Sequence, residues 1–149
     1  MQPLAPWLRW TLYTSFVALW LTGAVVFLLK HFYPVVTEFG SAPHPWQPRV
    51  LVIHGVIAVL VLYLFGWISA RHVGEGWRHG MNRLSGLPLV TLTVILALTG
   101  FAAYYLTNES TRTTNAAIHE ILGLPLILPL LNHWIIGRRI RRADAKQSA

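Results

Sequence analysis

Four histidines carry the chemistry of this sequence. His54 and His72 stand at i and i+18, and His119 and His133 at i and i+14. On an α-helix, 14 steps of about 100° return to within about 40° of the starting direction and rise about 21 Å; 18 steps make about five turns and rise about 27 Å. Each pair therefore repeats one facing at two separate levels. An imidazole can ligate a metal or carry a proton, although a lone histidine on an apolar face is more often a hydrogen-bonded core residue. The chain has seven His and no Cys. That removes disulfides, iron–sulfur clusters, thiolate zinc sites and covalent c-type haem with its Cys-x-x-Cys-His attachment. Any haem here would be held by imidazole alone.

The elements that must position these rings are apolar. Of the 149 residues, 54% are hydrophobic and 11% charged, whereas a soluble domain carries about 25% charged residues. Four apolar stretches, at about Leu12–Leu29, Val50–Ala70, Gly86–Leu106 and Ala116–Gly137 within expected helices 12–30, 50–72, 86–106 and 116–137, are each close to the ~20 residues that cross a hydrocarbon layer as a helix. None has Lys or Arg in its interior, where a charge costs roughly 2.5–3.5 kcal/mol. None shows the polar stripe of a helix half-buried in a soluble core. The expectation is an all-α fold, a transmembrane four-helix bundle forming one integral membrane domain over residues 1–149. The first stretch is longer than a signal-peptide core, and no small-x-small cleavage site directly follows it.

Charge sets the orientation. With both termini on one side, that side holds Arg9, Arg71, Arg78, Arg83, Arg138, Arg139, Arg141, Arg142 and Lys146, leaving Lys30, Arg49 and Arg112 on the other. The positive-inside rule then places both termini in the cytoplasm. The formal charge of +7 reads as topology, with the basic tail 138–149 facing anionic lipid, and not as nucleic-acid binding. Trp7, Trp10, Trp46, Trp77, Tyr104, Tyr105 and Trp134 suit interfacial belts. The segment Phe32–Arg49 contains four prolines and is expected to be irregular. Thr113, Thr114 or Asn115 is expected to cap the fourth helix. Asn108-Glu-Ser110 matches a glycosylation sequon of a kind common by chance.

Within four spans, the histidines fall at matched depths. His54 lies about five residues into the second span and His119 about four into the fourth, both from the non-cytoplasmic side; His72 and His133 lie near the cytoplasmic side. Two imidazoles on opposite sides of a flat ring are what a low-spin b-type haem requires. Zinc asks for three or four converging ligands, and a proton relay needs carboxylates within the span; only Glu120 stands near an edge. The expected ligand sets are His54 with His119 and His72 with His133, with His79 and His31 as fallback ligands and His44 as a loop residue. Glycines support a wedged ring, because a residue without a side chain permits close approach. Gly86 and Gly100 also stand at i and i+14, like the fourth-span histidines; Gly123 and Gly137 each come at i+4 from a proposed ligand; Gly55 adjoins His54 and Gly23 is mid-span. Ordinary small-residue helix packing accounts for some of these. Pro125 and Pro129 are expected to bend the fourth span. Arg71, Arg78 and Arg83 lie where the carboxylates of an inner haem would emerge, and Arg49 and Arg112 near an outer one, although each also serves topology.

This arrangement resembles the bacterial four-helix di-haem membrane cytochromes b, which include quinol-oxidising cytochromes and the cytochrome b subunits of formate dehydrogenase, hydrogenase and thiosulfate reductase. The resemblance covers about residues 10–142 and is carried by His54, the His119-x13-His133 pair and the basic tail after it. It implies two non-covalent haems b, quinone or quinol exchange near one face, and electron transfer with a partner redox protein or catalytic subunit in a bacterial inner (plasma) membrane. The chain departs from the family at Pro6–Phe16, which lacks the histidine that usually ligates the inner haem. His72 takes that place, giving a ligand set more like the cytochrome b of quinol:cytochrome c oxidoreductases, although Ile68 occupies the position that an i, i+14 spacing would select. The function expected is electron transfer across the bilayer, with any substrate catalysis in a partner subunit and with Glu120, His79 and Glu75 as candidate proton acceptors for quinone chemistry. Two other classes compete: a haem-free membrane anchor, which has no reason to match histidine depths, and a small His-dependent transporter, which should show inverted repeats or broken helices at mid-membrane.

Overall fold

A computed structural model describes residues 5–74, 78 and 83–147. Among these, four helices are long and apolar enough to cross a membrane: Pro6–His31, Gln47–Ile68, Arg83–Tyr105 and Glu109–Ile140. They begin or end beyond the expected apolar stretches because hydropathy marks only what hydrocarbon must cover. The helices run on through Trp, Arg and Thr residues that suit the interface. The chain divides into two compact units at Trp67–Ile68.

The first unit holds α1 (Pro6–His31) and α2 (Gln47–Ile68), joined through a two-stranded hairpin, β1 (Val35–Thr37) and β2 (Gly40–Ala42). Pro6 opens α1 at a position where its missing N–H is not needed. The connection is therefore not wholly irregular, as its prolines suggested. Pro34 and Pro43 bracket a proline-free stretch, which pairs antiparallel in the register Val35 to Ala42, Val36 to Ser41 and Thr37 to Gly40. The prolines exclude helix and end the ladder, since they have no N–H to give it. Gly40 has φ of +108°, a conformation open to glycine, and its carbonyl accepts from Thr37 Oγ1 at 2.7 Å.

The second unit opens with one π-helical turn, Ser69–Val73, followed by α3 (Arg83–Tyr105), α4 (Glu109–Gly123), a 3-10 turn (Leu124–Leu126) and α5 (Ile127–Gln147). The last three form the fourth span, and α5 carries the basic tail onward as helix to Gln147. The fourth span starts earlier than its apolar stretch. Asn108 caps it, with Oδ1 accepting the Thr111 N–H at 3.0 Å, so Thr113, Thr114 and Asn115 lie inside the helix. Where Pro125 interrupts the backbone ladder, α4 gives way to a 3-10 turn before α5.

Few apolar side chains are buried: Leu8, Phe16, Val61, Leu64, Ile68 and Leu126. Between 6% and 17% of each span's apolar window is covered by protein. Helices so apolar and so little covered expose far more than the few hundred Å² of contiguous apolar surface that a soluble monomer tolerates. Lipid is the environment that suits them, and helix is the conformation that satisfies every backbone polar group there. Trp7, Trp10, Trp46, Tyr104, Tyr105 and Trp134 are all exposed. Arg49 stacks over Trp46 at 4.8 Å and Arg138 over Trp134 at 4.6 Å, pairs that fit an interfacial belt.

Candidate functional site

In the first unit, α1 and α2 meet at one histidine. Thr22 Oγ1 lies 3.0 Å from His54 Nδ1. The adjacent Gly23 faces the same ring so closely that a Cβ there would stand 3.0 Å from His54 Cε1. The half-buried imidazole thus lies against bare backbone on α1 while a hydroxyl holds one of its nitrogens.

The second unit repeats the arrangement twice. Thr99 Oγ1 lies 2.9 Å from His119 Nδ1, and Ser85 Oγ lies 3.0 Å from His133 Nδ1. The next residue is glycine in both cases. A Cβ on Gly100 would stand 3.3 Å from His119 Cε1, and one on Gly86 would stand 3.6 Å from His133 Cε1. Ser85 and Thr99 stand at i and i+14 on α3, as His119 and His133 do along the fourth span. Because the two run antiparallel, one step of about four turns keeps both pairs in register. Asn115, one turn before His119, adds a cross-link by donating from Nδ2 to the Thr99 carbonyl at 2.8 Å.

These contacts give the glycines a definite role. Gly86 and Gly100 were expected to open space for a porphyrin, and the group they face is the imidazole. Gly123 faces Leu96 Cδ2 at an ordinary 3.6 Å, which is helix packing. Gly55 and Gly137 occupy half-buried positions on α2 and α5. The signal that glycine spacing alone passes over is the dipeptide: Thr22-Gly23, Ser85-Gly86 and Thr99-Gly100 each place a hydroxyl directly before the glycine.

His72 is different. It is exposed, on the π-helical turn that follows α2, so the stretch from His54 to His72 is not one uniform α-helix. A π turn adds a residue to the winding and changes the facing of whatever follows, and such turns recur at functional sites. The His72 and His133 ring centres are 6.0 Å apart with planes at 86°. That suits an edge-to-face ring pair. Two imidazoles that shared one metal, at metal–nitrogen bonds of about 2 Å, would have their ring centres at a comparable spacing. Ser69, on the same turn, has a buried Oγ with no hydrogen-bond partner among the described residues, a polar atom that a bound group can satisfy. The His72–His133 ring pair, the glycine behind His133 and the Ser69 hydroxyl are features that a bound group could engage.

Of the basic residues assigned to haem carboxylates, Arg71 lies on the π turn, Arg78 is exposed between that turn and α3, and Arg83 is exposed as the first residue of α3. Arg49 is in the first turn of α2, and Arg112 in the first turn of α4. Glu120 is half-buried beside His119, His31 is exposed at the end of α1, and His44 lies in the loop before α2. His79, Glu75 and Trp77 lie outside the described residues. Among the described residues, no three or more of His, Asp and Glu come together as a set for a metal ion. Compared with protein-family models, with curated proteins and with solved structures, the chain matches none of them.

Proposed function

We propose that the chain is a membrane cytochrome b. It holds two haems b non-covalently through His54, His72, His119 and His133, and it passes single electrons between a quinone pool and a partner redox protein. Its place is a bacterial inner membrane, with both termini on the cytoplasmic side. The observation that carries this reading is the triple repetition of one fitting: a hydroxyl on Nδ1 and a glycine under Cε1, at three of the four histidines that the spacing singles out. A histidine that merely fills a membrane core needs a hydrogen-bond partner, but it has no need of the same partner and the same bare backbone three times. Metal-bound histidines characteristically give their other ring nitrogen to an acceptor that fixes orientation. The 6.0 Å separation of the His72 and His133 rings supports the same reading.

A bound haem supplies a one-electron couple. The residues of the chain hold the rings in place and surround them with apolar helix. Arg71, Arg78 and Arg83 offer charge to the carboxylates of a group held by His72 and His133. The test is a reduced-minus-oxidised spectrum of the full chain purified in detergent, with haem quantified per chain. A b-type α-band and two haems per chain are expected. A colourless protein from cells making ample haem overturns the proposal.

A further inference from the structure

Thr22 and Thr99 each have one hydroxyl proton, and the structure places it. Thr22 Oγ1 is 2.9 Å from the carbonyls of both Ala18 and Leu19. Thr99 Oγ1 is 2.9 Å from the Ile95 carbonyl and 3.2 Å from that of Leu96. A carbonyl cannot donate, so these approaches need the hydroxyl proton between the oxygens. The hydroxyl then has only lone pairs to offer its histidine, and the bond at 3.0 Å to His54, or 2.9 Å to His119, must take its proton from Nδ1.

We infer that Thr22 and Thr99 are positioning residues that lock His54 and His119 in the Nδ1–H tautomer, leaving the ring lone pair on Nε2. A back-bond of this kind slightly weakens a helix and competes with its ladder. At these positions it turns the hydroxyl from an ambivalent donor–acceptor into a fixed acceptor. The glycine beside it lets the ring come close enough to use that acceptor. If the rings ligate haem, as proposed above and on which this part rests, the acceptor at Nδ1 also raises the basicity of the ligating nitrogen. That favours the oxidised iron and sets its potential lower than an unassisted imidazole would.

The experiment uses the full chain in detergent micelles, labelled with nitrogen-15 in histidine and chemically reduced. The nitrogen shifts and one-bond proton couplings of His54 and His119 are expected to report a protonated Nδ1 and an unprotonated Nε2. Thr99→Val is expected to move the His119 Nδ1–H resonance upfield and speed its exchange with solvent, and Thr99→Ser to restore both. Thr22→Val is expected to do the same to His54. Thr93→Val is the control: Thr93 makes the same back-bond, to the Leu89 carbonyl at 2.8 Å, on the same helix as Thr99, and its loss is expected to leave both imidazoles unmoved. In the haem-loaded protein, Thr99→Val is expected to raise one midpoint potential, with Thr99→Ser returning it. A protonated Nε2 on His54 or His119, or Thr99→Val spectra matching the wild type, overturns the inference. The two proposals fail separately. A protein without haem but with the Nδ1–H tautomers leaves the lock standing and removes the cytochrome, whereas a haem protein with the opposite tautomers does the reverse.

Discussion

Ser85 closes on His133 and Thr99 on His119 through the same ring atom, Nδ1, at 3.0 and 2.9 Å, and the two pairs lie about four helical turns apart along antiparallel helices. The fourth span keeps this register although a 3-10 turn and two prolines lie between its histidines. The 3-10 turn winds tighter and rises faster than α-helix. Its three residues lengthen the span by about 1.5 Å, which side-chain reach absorbs.

Substituting the three histidine-facing glycines by alanine is expected to give a graded series. Gly23→Ala puts a methyl group 3.0 Å from His54 Cε1 and should cost about 1–3 kcal/mol, the range for overpacking. Gly100→Ala, at 3.3 Å, should fall between. Gly86→Ala, at 3.6 Å, should be close to neutral, because alanine's helix propensity gains up to about 1 kcal/mol over glycine. Thermal unfolding in one detergent, followed by circular dichroism, checks the order; Gly86→Ala proving the worst of the three would contradict the contacts.

Removing one member of the His72–His133 pair tests the proposed function at residue level. His133→Ala is expected to lower the haem content from two to one per chain, with the remaining haem still reducible, and His72→Ala should match it. Haem extracted as its pyridine complex gives the count. Two haems surviving in His72→Ala would remove His72 as a ligand and move attention to His79.

Asn115 offers a purely structural test. Its amide donates to the Thr99 carbonyl across two helices at 2.8 Å, in a part-buried setting. Asn115→Ala should lose about 1 kcal/mol, and because the bond anchors the turn beneath Thr99, the His119 resonances should broaden. Unchanged stability together with unchanged resonances would mean that the cross-link holds nothing in place.

The start of the fourth span can be checked in the same way. Asn108 caps it through Thr111 N–H, and Asn108→Ala is expected to cost about 1 kcal/mol of stability. Hydrogen exchange at Ser110–Arg112 should quicken more than exchange further along α4. Protection lost first at Asn115 instead would restore the later start that hydropathy suggested.

The spans are legible in the sequence because bilayer thickness leaves a coarse mark: an uncharged run of about 20 residues is hard to mistake. The histidines are legible for a related reason, since polar rings stand out on apolar helices. What escapes notice is finer. Thr22, Ser85 and Thr99 look inert on a membrane helix, because a hydroxyl can satisfy itself on its own backbone, and only the approach of a second helix shows what else it does. The π turn at Ser69–Val73 carries no residue that announces it. The hairpin is obscured by the prolines that bracket it, whose exclusion of helix reads as exclusion of all order.

The shared four-turn step has a consequence for how such a chain can change over time. Deleting one residue between Ser85 and Thr99, or between His119 and His133, turns one end by about 100° and draws it in by about 1.5 Å. One imidazole would then face lipid and lose its hydroxyl. Neither helix can be shortened or lengthened alone inside those limits; compensation would need a matching edit on the other strand of the ruler at the same level. Length variation among descendants of this sequence should therefore collect in the hairpin, in the connection before α3 and in the tail, with both i, i+14 intervals kept even where their apolar residues have been exchanged freely.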